Sequence, residues 1–588
     1  MKNRDSIEEK YKWDLSPIVN GDSEFDSLMN EANKIIDKIG IYQGKLNESS
    51  TILECLKKQS EVSLIAERLY VYAKMKLDED STISKYQALT DKADRLIIKL
   101  STATSYIVPE ITMLSDEKLN ELKNDKEFED FSYFIDGIIR TKKHILSEKE
   151  EKLLSETKSF SDICHDAFNM FDNADVNFGK IKYEGEEMQL THGTYSYLLQ
   201  SKDRKVRKKA FEMMFTAYKN MINTIAMLYS GNVKKDCFYA KVRGYNSALE
   251  KAMYNENVPK IIYDNLINAV DNNLQNLHDY LAYRKKCLGV KKLNMYDMHT
   301  SIIEGENLAM DYEDAYVLVK EALAPLGDTY QKLLDKAYHE KWIDVYENKG
   351  KRSGAYSWGS YNAHPYVLLN YTKTTHDIFT IAHELGHAMH SYFSNKTQCY
   401  EKAGYEIFVA EVASTVNEVL LLKYLINKAS GNEKKYLLCY YLDMFRTTLF
   451  RQTQFAEFEA IAHNLYESGE SLTADVLCDE YLKLNKKYYG KVTESNDLIK
   501  YEWARIPHFY RSFYVYKYAT GITSAVVIAN DILKDKSNID KYMKFLSLGG
   551  SMPPSEILKV AGVNLEQEST FEIAMNEFKS ALDELKSL

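Results

Sequence analysis

The sequence predicts a mainly α-helical protein with a small β element just before a histidine-bearing helix. The first observation is composition, because 588 residues contain only 8 prolines and 24 glycines to interrupt helices. The second is periodicity, because long segments rich in Leu, Ile, Lys and Glu repeat apolar residues at three- and four-residue spacing. The third is a local break at 350–372, where glycines and aromatic residues cluster. Length alone suggests about two to four structural units.

The N-terminal part is predicted to consist of helices packed through one face each. Residues 20–160 repeat apolar side chains at helical spacing, with short polar connections. Residues 178–199 break this pattern with glycines and a short alternating run of apolar and polar residues. We therefore predict a small hairpin there and a domain boundary close to it. Helical patterning resumes near residue 200.

The segment GKRSGAYSWGSYNAHPYVLLNYT at 350–372 differs in character from its surroundings. It ends in a β-rich hexamer from Tyr366 to Tyr371 and leads directly into the next helical pattern. We predict a short strand or hairpin that feeds into a helix. The remainder of the chain is predicted to be mostly helical, with a Gly/Pro corner at 549–554.

Charge and cysteine usage narrow the class of protein. A formal net charge of −10 argues against a nucleic-acid partner, since such proteins concentrate positive charge. No run of eighteen uncharged apolar residues occurs and the N-terminus lacks an apolar segment, so neither membrane spanning nor export is expected. Seven scattered cysteines without a C-x-x-C pair fit reduced thiols in the cytoplasm.

The stretch IAHELGHAMHSYF at 381–393 carries the most specific pattern. On a helix at about 100° per residue, His383, His387 and His390 share one face and the apolar residues lie opposite. Two imidazoles one turn apart can bind one cation, and His-Glu-x-x-His on a helix is typical of zinc peptidases. In that chemistry the intervening Glu384 is the general base.

A catalytic zinc site needs a third protein ligand and an open position for water. His390 lies about 10 Å along a straight helix from His383, at about 1.5 Å per residue, so it is the less favoured candidate and suits packing better. Glu411 sits in the apolar stretch IFVAEVASTVNEVLLL, where a carboxylate must be paired or coordinated. We predict Glu411 as the ligand, the alternative being a salt-bridged structural glutamate. Glu418, on the same face, either orients a ligand histidine or is structural.

Together, HELGHAMH and AEVASTVNE resemble the oligoendopeptidase F group of the thimet-oligopeptidase-like zinc metallopeptidases. The resemblance extends along nearly the whole chain through YKWDLSPI, KRSGAYSWGSY, RIPHFYRSFYVYKYATG and SLGGSMPPSEILKVAGV, in the expected order. It implies an elongated helical zincin with two lobes around a deep channel and a small sheet near the zinc helix. It also implies hydrolysis of internal bonds in short peptides.

The same resemblance implies roles for individual residues. One zinc ion per chain would be held by His383, His387 and Glu411, with Glu384 as base, although such a set binds other divalent ions too. The substrate backbone would lie along the edge strand in 354–371. The residues expected to contact that backbone are Gly354, Ala355, Tyr356, Leu369 and Asn370. The expected oxyanion donors are His508, Tyr514 and Tyr516, with Tyr510 as the next candidate. The implied divisions are an N-terminal helical region at 1–115, an oligoendopeptidase N-terminal domain at 116–200 and a catalytic domain at 201–588.

Two other functions remain open at the level of sequence. A zinc carboxypeptidase or dipeptidase of related fold would need a cation for the substrate carboxylate, and Arg352, Arg505 and Arg511 are candidates whose role the sequence does not decide. A non-catalytic helical peptide-binding protein with a structural zinc is the other. Structural zinc sites usually take four protein ligands, often cysteines, and none lies near the motif. Whether the chain is a monomer or a dimer is not decided.

Overall fold

A computed structural model describes residues 3–303 and 308–588 of the chain. The protein is predominantly helical with small sheets, which confirms the predicted fold class. Two compact units divide the chain, and each is assembled from three separate segments. Unit 1 comprises residues 1–143, 307–424 and 528–563, and unit 2 comprises residues 144–306, 425–527 and 564–588. The two lobes with a channel and the boundaries at residues 115 and 200 stay predictions.

The first segment of unit 1 is purely helical in its regular structure. Its helices are α1 (Gly21–Ile39), α2 (Ser49–Glu79), α3 (Ser84–Thr104), α4 (Ile107–Thr112), α5 (Asp116–Asn124) and α6 (Ser132–Lys142). The helices α1, α2 and α3 pack on one another around buried aliphatic residues such as Leu69 and Ala93. This packing is what the three- and four-residue apolar spacing predicted.

The first segment of unit 2 contains the predicted hairpin. Its elements are α7 (Glu148–Ser161), α8 (Ile163–Met170), β1 (Lys180–Tyr183), β2 (Glu186–Gln189), α9 (His192–Leu198), α10 (Arg204–Asn220), α11 (Ile222–Val242), α12 (Ala248–Asn255), α13 (Ile261–Asn272), α14 (Leu274–Cys287) and β3 (Leu293–Asn294). Strands β1 and β2 pair antiparallel, with Tyr183 opposite Glu186. Glu184 and Gly185 form the turn with positive φ, which confirms the hairpin predicted in 178–199.

The rest of the chain alternates between the two units. Its elements are α15 (Tyr312–Ala322), α16 (Gly327–His339), β4 (Ile343–Asp344), β5 (Tyr356–Trp358), β6 (Tyr366–Leu368), α17 (Thr375–Thr397), α18 (Tyr400–Ala403), α19 (Ile407–Lys428), α20 (Gly431–Phe445), α21 (Arg451–Glu467), α22 (Ala474–Tyr489), β7 (Thr493–Glu494), α23 (Tyr516–Lys534), α24 (Asn538–Leu546), α25 (Pro554–Val560) and α26 (Glu568–Ser587). The β-rich hexamer therefore becomes β6, and α17 carries the histidine motif. Within the described residues, no helix is both long and apolar enough to cross a membrane.

The sheet of unit 1 lies in the order β4-β6-β5. β6 is the central strand, antiparallel to β5 and parallel to β4. Its Tyr366 and Leu368 are buried in the same core as α1, α2 and α3. β5 is an edge strand, and it also packs against α17. The helix bearing the histidine motif is thus held against a short sheet, as the segment order predicted.

Buried charges fix the loop that leads into β5. The ammonium of Lys351 is inaccessible to solvent and lies 2.7 Å from Asp344 Oδ1, and Arg4 donates to the same carboxylate. Arg352 donates its backbone N–H to the carbonyl of Asp78, whose carboxylate accepts from the Tyr356 hydroxyl. Leaving any of these charges without its partner inside the protein would be costly, so the network holds the start of β5 in place.

Candidate metal centre and active site

Helix α17 begins at a capping box. The Thr374 hydroxyl accepts from the backbone N–H of Asp377, and the Asp377 carboxylate accepts in return from the backbone N–H and hydroxyl of Thr374. The same carboxylate accepts from the backbone of Thr372. These bonds satisfy N–H groups that a helix start leaves free, and they fix where the helix begins relative to β6.

Helices α17 and α19 approach each other very closely at Gly386. A Cβ atom added there would lie 2.5 Å from Ser414 Cα and 2.7 Å from the carbonyl oxygen of Ala413, so only glycine fits. Next to this contact, Asn417 Nδ2 donates to the carbonyl of Ala382 at 2.9 Å. The hydroxyl of Tyr330 donates to Asn417 Oδ1 at 3.0 Å. This contact sets the register of the two helices.

That register brings His383, His387 and Glu411 together. The Nε2 atoms of the two histidines are 3.2 Å apart and lie 3.4 and 3.5 Å from Glu411 Oε2. One ligand atom from each residue falls within 4.8 Å of the others. All three side chains are partly exposed, so the cluster is open to solvent on one side. Two imidazole nitrogens and a carboxylate oxygen with an open position form the donor set of a catalytic zinc site.

Electrostatics around the cluster favour a cation. Burial opposes protonation of His383, yet hydrogen bonds to Glu411 and Glu418 raise its pKa to about 10. Burial also favours a neutral Glu411, but the two imidazoles hold the pKa of its carboxyl well below the usual range. Glu418 bonds the Nδ1 atom of His383, which leaves Nε2 directed at the cluster. The surrounding carboxylates therefore stabilise positive charge at this point.

Glu384 lies between the two motif histidines in sequence. Its side chain is 7% exposed, and burial raises the pKa of its carboxyl. Helix geometry places it beside the cluster, since it follows His383 directly and precedes His387 by three residues.

His390 does not belong to the cluster of possible metal ligands found among the described residues. Its ring is fully buried and stacks on Tyr405 at 3.7 Å between centroids, with Phe545 at 5.2 Å. Burial lowers its pKa to about 3, so the ring is neutral. This is the packing role that the helix rise favoured over metal binding.

The residues predicted to contact the substrate backbone fall into two groups. Gly354, Ala355 and Tyr356 lead into the edge strand β5. Leu369 and Asn370 follow the central strand, and the Leu369 N–H donates to the Asp344 carbonyl. Asn370 Nδ2 donates to the carbonyls of Arg352 and Gly354. The Leu369 N–H and the Asn370 side-chain amide are thus bonded within the protein, and substrate contact by these five residues stays a prediction.

The predicted oxyanion donors lie in unit 2, around the short 3₁₀ helix Pro507–Tyr510. The ring of Tyr514 stacks near His508, and the Tyr518 hydroxyl lies 3.4 Å from His508 Nε2. Burial, with Arg511 nearby, lowers the pKa of His508. All three rings are partly exposed. Tyr518 is not among the residues predicted from the sequence, although it lies ten residues after His508 in the same tyrosine-rich stretch.

The other two tyrosines face the interior of unit 2. Tyr516 is fully buried and donates its hydroxyl to Glu256 at 3.1 Å. Tyr510 is buried against Phe168, at 4.5 Å between ring centroids. Tyr516 and Tyr510 therefore make packing contacts in the interior of unit 2, and the oxyanion roles predicted for them stay predictions.

The three arginines considered as carboxylate anchors are engaged in different ways. Arg352 lies 3.4 Å from Asp78, and Arg505 and Arg511 stack over Tyr195 and Tyr514.

The fold and the cluster together define a class, the helical metallopeptidases whose zinc ligands come from a His-Glu-x-x-His helix and a following glutamate. Sequence comparison defines the family. The pattern of peptidase family M3 matches residues 197–577, and that of the oligopeptidase F N-terminal region matches residues 110–178. The chain belongs to peptidase family M3, and the predicted metalloendopeptidase of oligoendopeptidase F type is confirmed.

Several individual proteins are similar to this chain over all or nearly all of its length. Oligopeptidase PepF of Bacillus subtilis is 41% identical over 593 residues, covering 100% of this chain and 88% of the relative. An oligoendopeptidase F homologue of Lactococcus lactis is 38% identical and is covered to 98%. A solved structure from Chlamydophila abortus is similar with a TM-score of 0.93, 33% identity and coverage of 100% and 99%. Oligoendopeptidase-F from Enterococcus faecium has a TM-score of 0.74, 35% identity and coverage of 96% and 98%.

Proposed function

We propose that the protein is a zinc-dependent endopeptidase that hydrolyses internal bonds of short oligopeptides, with Glu384 as the general base. The observation that carries this proposal is the cluster of His383, His387 and Glu411, which leaves one side open. Membership of family M3 and relatives named oligopeptidases support the substrate class. One zinc ion per chain fits three protein ligands.

The proposed chemistry divides between the bound ion and the chain. When bound, zinc lowers the pKa of a coordinated water and polarises the scissile carbonyl. Glu384 takes the proton of the attacking water and delivers it to the leaving amine. Glu418 holds His383 in one tautomer so that Nε2 faces the cluster. No covalent acyl-enzyme forms.

The edge strand β5 is proposed to bind the substrate backbone. The Val367 N–H donates to the Trp342 carbonyl on the β4 side of the sheet, so its neighbours in β6 face β5. Tyr356 and Trp358 then pair with β6, whereas the N–H and C=O of Ser357 point to the free edge. A peptide added there is recognised through its main chain, whatever its sequence.

Negative charge on the tetrahedral intermediate needs donors aimed at it. We propose His508 and Tyr518 as these donors, with Tyr514 beside them. Their mutual contacts and partial exposure support the choice.

The alternatives are less well supported. Arg352, one candidate anchor for a substrate carboxylate in a carboxypeptidase, lies beside Asp78. A non-catalytic structural zinc would use a closed site, whereas this cluster is open.

We also propose that the protein works in the cytoplasm, because all seven cysteines are free.

The test is hydrolysis of an internally quenched peptide of roughly eight residues, a length typical of oligopeptides, blocked at both ends. Wild type and Glu384→Gln are compared, with zinc content measured on both. We expect internal cleavage by wild type, a kcat lower by about 10²–10⁴-fold in the variant, and equal zinc. Cleavage that requires a free C-terminus would instead identify a carboxypeptidase, and no cleavage of any peptide would support the binding protein. The control Glu61→Gln removes an exposed carboxylate from α2 and should change neither property.

A further inference from the structure

A cavity of about 850 Å³ lies beside the edge strand within unit 1. We refer to it as the tyrosine pocket, and define it by its main lining residues: Glu67, Tyr70, Trp358, Tyr361, Tyr400 and Tyr405. Its walls come from α2 and α3, from β5 and the loop after it, from the C-terminal half of α17, and from the segment between α17 and α19. Unit 1 alone therefore builds the whole pocket.

The tyrosine pocket is next to the proposed peptide-binding edge. Ser357 and Trp358 of β5 line it, as does Gly359 directly after the strand. Ser391 and Asn395 line it from α17, one and two turns beyond His387. A peptide strand added to β5 would lie about 4.8 Å from it, with side chains alternating between the two faces of the sheet. Side chains on one face would then enter the pocket.

Acidic side chains line the pocket, and no basic side chain among the described residues does. The acidic residues are Glu67 and Glu401. Glu67 accepts a hydrogen bond from the backbone N–H of Tyr361 at 2.7 Å and one from the Tyr400 hydroxyl. Among the described residues it forms no ion pair, and burial raises the pKa of its carboxyl. A cation supplied from outside would stabilise the ionised form.

Aromatic rings form a large part of the wall and pack against one another. Tyr70 meets Trp358 edge-on at 5.9 Å, and Tyr361 meets Tyr400 edge-on at 5.5 Å between centroids. The Tyr361 hydroxyl donates to the Gln398 carbonyl at 2.8 Å. Such rings pack against the methylene stem of Lys or Arg, and their faces attract the charged end.

We propose that the tyrosine pocket is a substrate subsite that takes an arginine or lysine side chain of the peptide, with Glu67 as its counter-ion. This specificity rests on the proposed endopeptidase function. It goes beyond the backbone recognition by β5, which is indifferent to sequence.

The test uses doubly blocked quenched peptides with arginine placed in turn at each position around the scissile bond. Each is paired with a peptide carrying citrulline, which has nearly the same shape and no charge. For wild type we expect one position at which kcat/KM favours arginine over citrulline by about tenfold or more. In Glu67→Gln, which keeps an acceptor for the Tyr361 N–H, this ratio should fall close to one.

A matched control separates the pocket from the general charge of the protein. Glu61→Gln removes a carboxylate from the same helix, but on its exposed face beside Lys58, and should leave the ratio as in wild type. A ratio near one at every position in wild type would overturn the proposal. So would a ratio that survives in Glu67→Gln, or a preference for phenylalanine over arginine at the responsive position.

A binding experiment distinguishes this proposal from the proposed function. Fluorescence anisotropy of the same peptides with Glu384→Gln requires no turnover. Tighter binding of arginine than citrulline, lost in the Glu67→Gln/Glu384→Gln double variant, would support the pocket even if wild type cleaved nothing. Equal binding of both peptides would reject the pocket even if wild type cleaved them.

Discussion

Glu418 hydrogen-bonds Nδ1 of His383, while Nε2 of the same ring lies 3.4 Å from Glu411. One nitrogen is thereby fixed by a carboxylate and the other is left for a metal ion. A histidine ligand is usually held in this way, because the outer hydrogen bond sets both its tautomer and its orientation.

The first prediction concerns the hydrogen bond between Glu418 and Nδ1 of His383. Glu418→Ala should weaken zinc affinity by about 10–100-fold, because His383 loses the group that orients it. Competition with a chromophoric chelator measures this. Glu418→Gln, which retains an acceptor, should recover part of the affinity. Unchanged affinity in Glu418→Ala would mean that the residue is only structural.

The second prediction concerns the close approach of α17 and α19. Gly386→Ala should destabilise the protein by about 1–3 kcal/mol, because its Cβ would lie 2.5 Å from Ser414 Cα. The control Gly137→Ala, in α6 with no atom within 4 Å of the added carbon, should stabilise by up to about 1 kcal/mol. Thermal unfolding of both variants measures the difference. Equal effects would contradict the packing argument.

The third prediction separates two neighbouring tyrosines. Tyr518→Phe should lower kcat by about 10²–10³-fold, as loss of an oxyanion donor does. Tyr516→Phe should instead lower stability by about 1–3 kcal/mol, because the fully buried Tyr516 loses its hydrogen bond to the partly buried Glu256. Steady-state kinetics and thermal unfolding of both variants distinguish a loss of kcat from a loss of stability. A larger loss of kcat in Tyr516→Phe would restore the assignment first made from sequence.

The fourth prediction concerns the buried Glu459, which accepts the backbone N–H of Phe513 at 3.0 Å. Phe513 has a φ of 61°, a conformation that needs such support just before Tyr514. Burial, and to a smaller extent the negative charge of Asp236, raises the pKa of the Glu459 carboxyl well above 4.5. The folded protein therefore holds this carboxyl neutral at pH values where the unfolded chain ionises it.

The stability that the neutral Glu459 carboxyl contributes decreases as the pH rises. Stability from the neutral carboxyl is fully present below pH 4.5 and is lost as the pH rises toward the folded-state pKa. Glu459→Gln keeps the acceptor and removes the titration, so its Tm should exceed that of wild type increasingly above pH 4.5. Melting curves at pH 4, 6 and 8 test this. A difference in Tm that shrinks with rising pH would contradict it.

Much of the metal centre followed from local pattern. His383 and His387 share a helical face because of their spacing, and the helix in the fold preserves that spacing. Glu411 was visible as a single carboxylate within an apolar segment. The hairpin at β1 and β2 and the strand β6 were also visible as alternation and β propensity. These features depend on residues close together in sequence.

What the sequence did not reveal depends on contacts between distant segments. β4 has two residues and no pattern of its own, so nothing indicated that it would pair with β6 and leave β5 at the edge. The proposal of Tyr518 over Tyr516 depends on burial and on distant contacts, because Tyr516 is buried against Glu256 whereas Tyr518 lies beside His508. The need for Gly386 appears only when Ser414 is in place.

The central claim is that one zinc ion held by His383, His387 and Glu411 is required for hydrolysis. The most direct measurement removes metal with a chelator and then titrates zinc back while following cleavage of a doubly blocked peptide. We predict no cleavage by metal-free protein and full recovery at one zinc per chain, with no recovery in His387→Ala. Activity that persists without metal, or that needs more than one zinc ion per chain, would contradict the account.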